Sequence, residues 1–212
     1  MRVMSEALPP PVRERARFVR ETADVRRQAL IDATAACLAE KGVGGTSVRG
    51  ICAKAGVSSG LLTHYFEGVD ALILATYKDV GRKVSAAVNA AVDAAGDDPR
   101  DRLRAGLEAN FVAPVLDPDL LATWIAFWSL VKSDRDIAAV HAEVYAGARG
   151  QLEDLLRAAA PHLPEARIRI ATISLQALVD GLWLELCLDR STFSPREAQA
   201  MVAEAMDRLI AA

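Results

Sequence analysis

Cysteine is scarce: Cys37, Cys52 and Cys187 are odd in number, widely spaced and set in apolar helical patterns. This excludes a disulfide framework and reads as reduced, packed thiols in a cytoplasmic protein. Histidine is equally rare. His64, His141 and His162 lie far apart with no ligand-type residues near them, so neither a metal site nor a cofactor is expected. No apolar run reaches the roughly 18 residues that span a bilayer, and the N-terminus lacks the apolar core of a signal peptide. A membrane partner is therefore not expected. Nucleophile–base pairs are missing too. Asp180 and Glu185 are the candidate paired carboxylates, but five residues apart they do not share a helix face. No catalytic residue is assigned, and the chain is not read as an enzyme.

What is present is alanine, leucine and helical periodicity. About half of the residues are apolar while aromatics are few, which predicts a packed helical core. The slightly acidic net charge conceals an asymmetry. Met1 to Glu67 holds ten Lys/Arg against seven Asp/Glu, and the rest of the chain fifteen against twenty-one. The basic surplus is thus confined to the N-terminal segment, where a polyanion would meet it.

The pattern divides into residues 1–22, 23–67 and 68–212. In the first part Pro9-Pro10-Pro11 forbids a regular helix, and Arg13, Arg15, Arg17 and Arg20 follow. It reads as a flexible Pro/Arg-rich arm, either a plain disordered extension or one that adds phosphate and minor-groove contacts. An amphipathic helix is predicted from Asp24 to Lys41, ending at Gly42, Gly44 and Gly45. A long helix follows from Gly68 to about Ala95, broken by Gly96-Asp97-Asp98-Pro99. Further helices are expected near 100–112, 118–132, 134–160, 165–188 and 195–210, with no alternating strand pattern anywhere. The expected fold is all-α: a three-helix helix-turn-helix head, then a helical-bundle domain for ligand binding and dimerisation.

The most informative stretch is Thr46 to Phe66. Ser47 can cap one short helix and Ser58 the next. Gly56 ends the first helix where only a left-handed residue turns the chain, and Cys52 is small where the two helices cross. An ordinary corner between helices shares these features; a DNA-binding helix-turn-helix needs them. The string Ile51-Cys52-Ala53-Lys54-Ala55-Gly56-Val57-Ser58-Ser59-Gly60, with Tyr65-Phe66 after it, resembles the DNA-binding signature of the tetracycline-repressor (TetR) family, with Cys52 where that family usually has alanine. Ser59, Gly60 and Thr63 are the positions facing base edges, and Ser47, Arg49, Ser58, His64 and Tyr65 those placed for backbone contacts or capping. The resemblance implies a palindromic operator in double-stranded DNA. One position departs from it: the family's usual lysine at the start of the long helix is Val69 here.

All three tryptophans lie in the C-terminal part. Trp124, Phe127 and Trp128 share a helix face, as do Asp180 and Trp183. They read either as core filling, with Asp180 paired to an arginine across a dimer interface, or as an aromatic wall and a carboxylate for an organic cation. The segments Glu108–Phe111, Thr123–Trp128 and Val179–Leu184 resemble the choline-sensing repressors of glycine-betaine synthesis genes within that family. The resemblance implies a ligand site including Phe111, Trp124, Phe127, Trp128, Asp180 and Trp183, with Asn110, Tyr145 and Glu108 secondary and Tyr145 the weakest member. Apolar stripes on the last two helices (Ile170, Ile173, Leu178; Met201, Met206, Leu209) suggest a homodimer, or core within one chain.

The expected function is a ligand-responsive transcriptional repressor sensing choline or a related small organic cation and controlling its metabolism or transport. A polyamine, an uncharged metabolite or a DNA-binding protein without a sensor are the alternatives.

Overall fold

The structure, a computed structural model, describes the backbone of residues 16–211 and the side chains from residue 23 onward. Nine α-helices occur among the described residues, and no strand. Arg13 and Arg15 of the expected arm lie outside them. Helix α1 runs Ala16–Gly45, so it begins within the stretch expected to form the arm and before the expected start at Asp24. The helical pattern breaks at Gly42, with φ 63°, and one further turn completes α1.

The head follows as expected. Ser47 caps α2 (Val48–Ala55) by accepting from the Gly50 amide at 3.2 Å, and Ser58 caps α3 (Ser59–Tyr65) by accepting from the Leu61 amide at 3.3 Å. Between them Gly56 adopts φ 66°, the left-handed conformation that closes α2. Leu30, Cys37, Ile51, Cys52, Leu62, Phe66 and Leu72 form the head core. The Arg27 guanidinium lies 4.9 Å over the Phe66 ring, covering the edge of this core with a cation–π contact.

Helix α4 (Val69–Ala94) leaves the head and enters the body. Asp98 and Pro99 start α5 (Pro99–Glu108), with the Asp98 carboxylate accepting from the Arg100 and Asp101 amides. The expected single helix over 100–112 is shorter: a 3-10 turn, Ala109–Phe111, replaces its end. Pro114 explains the change: it has no N–H for the Asn110 carbonyl, which accepts instead from the Trp183 indole nitrogen at 2.9 Å. Helices α6 (Pro118–Leu130), α7 (Arg135–Ala159), α8 (Glu165–Leu188) and α9 (Pro195–Ile210) complete the bundle. Asp117, Asp134 and the Ser194/Glu197 capping box begin α6, α7 and α9.

Helix α8 corrects one expectation: it is long and apolar enough in composition to cross a bilayer. It instead supplies Ile168, Leu175, Val179, Leu182 and Leu186 to the body core, against α6, α7 and α9.

Head and body share α1. Its Leu38 belongs to the body core while Leu30 and Cys37 belong to the head, and α1 packs along α6. An ion cluster around one buried carboxylate ties α1 to α4. Asp79 of α4, only 5% exposed, accepts from Lys83 at 2.9 Å and Gln28 at 3.2 Å and pairs with Arg82. Burial pushes its carboxyl up, but those hydrogen bonds and charges outweigh it and hold the group below its ordinary value.

Candidate functional site

The head presents the expected recognition positions together. Arg49, Ser59, Gly60, Thr63 and His64 are exposed, and Tyr65 is half-buried with its ring edge-on to His64 at 5.1 Å. The Thr63 hydroxyl donates to the Gly60 carbonyl at 3.1 Å. Ser47 and Ser58 are exposed, with their hydroxyls engaged in the caps. Val69 opens α4 behind Gly68, so the first turn of this helix carries Asp70 and no basic side chain.

In the body, α4 to α8 surround a cavity of about 90 Å³, room for several waters or one small organic molecule. Close approach of α4 to α7 at its wall depends on Gly81, where a Cβ would sit 2.9 Å from a Val144 methyl. Of the expected ligand residues, Asn110, Trp124, Tyr145, Asp180 and Trp183 line this cavity. Phe111, Phe127, Trp128 and Glu108 do not. Phe111 and Phe127 are core, Phe127 being stacked on Tyr77 at 4.2 Å and 5°. Trp128 is half-buried and touches the site only through its indole nitrogen.

Tyr145, the weakest member by sequence, is the hub. Its oxygen accepts from the Trp124 indole at 3.2 Å and the Trp128 indole at 3.1 Å, and its hydroxyl donates to Asp180 Oδ1 at 3.3 Å. Gln176, one turn before Asp180, donates to the same oxygen at 3.1 Å. Burial, and secondly the charge of Asp180, push the Tyr145 phenol well above its usual range, so it stays a donor. Burial also pushes Asp180 up to about 6, against the hydrogen bonds from Gln176 and Tyr145 and the charge of Arg149. The Trp124 and Trp183 rings stand edge-to-face, 5.8 Å between centroids and 88° apart, so two aromatic planes meet at a right angle. Behind them His141, pushed down by burial and then by Arg149, sits with Nδ1 2.8 Å from the Tyr77 hydroxyl and its ring 4.2 Å from that of Tyr145.

Gln176, Ser85 and Gln151, with an apolar wall including Val84, Val88, Leu152 and Leu155, also line the cavity and were not singled out by sequence. Gln176 had a signal, its i−4 spacing from Asp180; the others had none. Aromatic faces at a carboxylate attract an organic cation, which neither feature alone would select. Among the described residues no group of His, Cys, Asp or Glu is placed to hold a metal ion.

The last two helices carry part of the expected apolar face. Ile170, Ile173, Leu184, Leu188 and Met201 are exposed, whereas Met206 is fully buried within the chain and belongs to the core.

Comparison with known proteins agrees with this arrangement. Residues 30–76 match the profile of bacterial regulatory proteins of the tetR family, and residues 99–211 that of the C-terminal part of BetI-type transcriptional repressors. The HTH-type transcriptional regulator BetI of Burkholderia thailandensis is 35% identical over 89% of this chain and 95% of its own. The crystal structure of a transcriptional regulator from Pseudomonas aeruginosa PAO1 is 42% identical and superposes with a TM-score of 0.83, covering 94% of this chain and 97% of that one. A Saccharomonospora viridis regulator solved in complex with choline shares the fold, with a TM-score of 0.74 at 17% identity over 87% of this chain and 96% of its own.

Proposed function

The chain belongs to the tetR family of bacterial regulatory proteins with a BetI-type C-terminal domain, and from that premise we propose that it is a cytoplasmic homodimeric repressor whose body senses choline or a closely related organic cation and whose heads release or hold a palindromic operator accordingly. As a member of that family it is a DNA-binding transcriptional regulator and not an enzyme. The genes it controls would be those for metabolism or transport of the cation.

One observation carries the choice of ligand: Asp180 closes an aromatic cavity lined by Trp124, Trp183 and Tyr145, and among the described residues no Lys, Arg or His lines it. A quaternary ammonium satisfies the carboxylate by charge and the rings by cation–π attraction, worth about 2 kcal/mol or more when desolvated. Asp180 is also the sole acidic lining residue among those described, which disfavours a polyamine with its several charges. The relatives named BetI and the choline-bound S. viridis regulator support the same choice.

The test is tryptophan fluorescence with choline and its uncharged isostere 3,3-dimethyl-1-butanol, followed by operator titration with and without choline. Saturable quenching by choline alone, lost in folded Asp180→Asn protein and accompanied by a change in operator affinity, supports the reading. Equal binding of the neutral isostere sinks it.

A further inference from the structure

The cavity has two chemically different ends. At one, Asp180, Tyr145, Trp124 and Trp183 gather charge and aromatic faces around the Asn110 turn. At the other, Val88 of α4, Gly106 of α5 and Leu152 and Leu155 of α7 line the space with aliphatic surface. The two ends are joined along α7, whose lining residues run from Tyr145 to Leu155, about 15 Å at 1.5 Å per residue. A trimethylammonium group with a two-carbon hydroxylated arm is shorter than this path, so held at the first end it would leave the second unfilled. Its hydroxyl would also meet few partners there, since the polar groups nearest the aliphatic end, Ser85 and Gln151, are only half-buried, and Gln151 is turned to Asn89.

The lining also sets a charge rule. Arg149, the cation near enough to act on Asp180, is not among the lining residues. A carboxylate on the ligand would therefore meet Asp180 and no counter-charge in the lining, only neutral donors such as Ser85, Gln151 and Gln176, which offset its desolvation cost in part.

Resting on the cation reading above, we propose that the effector of this site is an amphiphilic monocation, an ammonium headgroup carrying an apolar arm of several carbons and no anionic group. The headgroup is held by Asp180 and the Trp124/Trp183 corner, and the arm lies against Val88, Leu152 and Leu155. Two features of the molecule need this arrangement. Helix α5 packs closely on α4 and α7 beside Gly106, where a Cβ would sit 3.0 Å from a Val92 methyl and 3.4 Å from a Leu155 methyl, so the missing side chain leaves the aliphatic end unfilled; each methylene buried against that surface tightens binding about fourfold.

The experiment is calorimetric titration of the full chain with tetramethylammonium, choline, butyltrimethylammonium and glycine betaine. Butyltrimethylammonium binding at least tenfold tighter than tetramethylammonium, with glycine betaine at least tenfold weaker than choline, is the expected result. In Leu155→Phe protein, where the ring fills the aliphatic end, the advantage of the butyl arm over tetramethylammonium falls to within threefold; a natural far-UV circular dichroism spectrum and operator affinity show that the variant is folded. Equal affinity for the tetramethyl and butyl cations in the natural chain overturns the apolar-arm assignment while leaving the cation site standing. Glycine betaine binding as tightly as choline overturns the charge rule. Failure of all three cations to bind overturns the cation reading itself, and this inference with it.

Discussion

The Thr123 hydroxyl lies 3.0 Å from the carbonyl oxygen of Ala35, so α6 is hydrogen-bonded to the head helix α1 one residue before Trp124 enters the cavity wall. The same hydroxyl is 2.7 Å from the Asp119 carbonyl within α6, so its one proton is shared between the two helices. A ligand that moves the Trp124 indole bears on this joint directly, alongside the continuous path through α4.

Thr123→Val keeps the shape of the side chain and deletes the donor. Stability should fall by about 1 kcal/mol, the usual net worth of one hydrogen bond. Cation affinity should stay within threefold, while the ratio of operator affinities without and with the cation contracts. Operator titrations at zero and saturating choline measure that ratio; an unchanged ratio would remove α6 from the transmission path.

The second prediction concerns pH. Asp180 titrates near 6 in the folded protein because burial disfavours its charge; Gln176, Tyr145 and Arg149 oppose that effect. A cation binds the carboxylate form, so its affinity should fall about tenfold per pH unit below 6 and level off above 7. For the unliganded fold the sign is opposite. The raised carboxyl holds its proton in the folded state more tightly than in the unfolded chain, so stability falls as pH rises from about 4 through 6. Asp180→Asn should thus melt higher than the natural chain at pH 8 and lose the pH dependence of cation binding. Affinity rising on acidification would contradict the placement of the charge.

Tyr145→Phe removes the oxygen on which two indoles and one carboxylate converge. Leaving the Trp124 and Trp128 N–H groups without this acceptor should cost about 1–3 kcal/mol. Choline affinity should fall at least threefold as the cavity wall loosens. Denaturant unfolding checks the first and calorimetry the second. A variant as stable as the natural chain would mean that water replaces the phenol.

At the head, Arg49 and Thr63 separate two kinds of contact. Arg49→Ala should weaken binding to operator and random DNA alike and lower the salt slope by about one. Thr63→Ala should weaken operator binding while leaving random DNA unaffected. Salt-dependent binding to both DNAs distinguishes these effects, and identical behaviour of the two variants would remove Thr63 from the base-reading surface.

Ile173 is 46% exposed on α8 beside Ile170. If α8 and α9 form the homodimer, Ile173→Asp should produce a monomer by sedimentation with an unchanged melting temperature at high dilution. A variant that remains dimeric would put the interface elsewhere.

The helices and the helix-turn-helix were legible because their signals are local. Ser47, Ser58, Asp98 and Ser194 each bond an amide within three residues, and Gly56 supplies the left-handed turn, so the chain states these features wherever the rest of it lies. Which aromatic residue faces a cavity and which faces the core was not legible. Trp124 and Phe127 share one face of α6, yet Tyr77, 47 positions before Trp124, stacks flat on Phe127 and meets Trp124 only edge-on, and of the two only Trp124 lines the cavity. Tyr145 became the hub only because α7 packs across α8 and brings Asp180, 35 residues on, to its hydroxyl. The end of α5 is set locally by Pro114, which offers the Asn110 carbonyl no amide, and only the group that then takes this carbonyl, the Trp183 indole, comes from afar. Periodicity tells a side chain to turn inward, since burial of apolar surface has no direction of its own; what it meets there is set by how distant helices pack. By itself the sequence determined the head, the all-helical body and the supply of rings and carboxylate. Only the tertiary structure decided that Trp124, Tyr145, Asp180 and Trp183 close one cavity, because that cavity lies between five helices and is encoded in none of them alone.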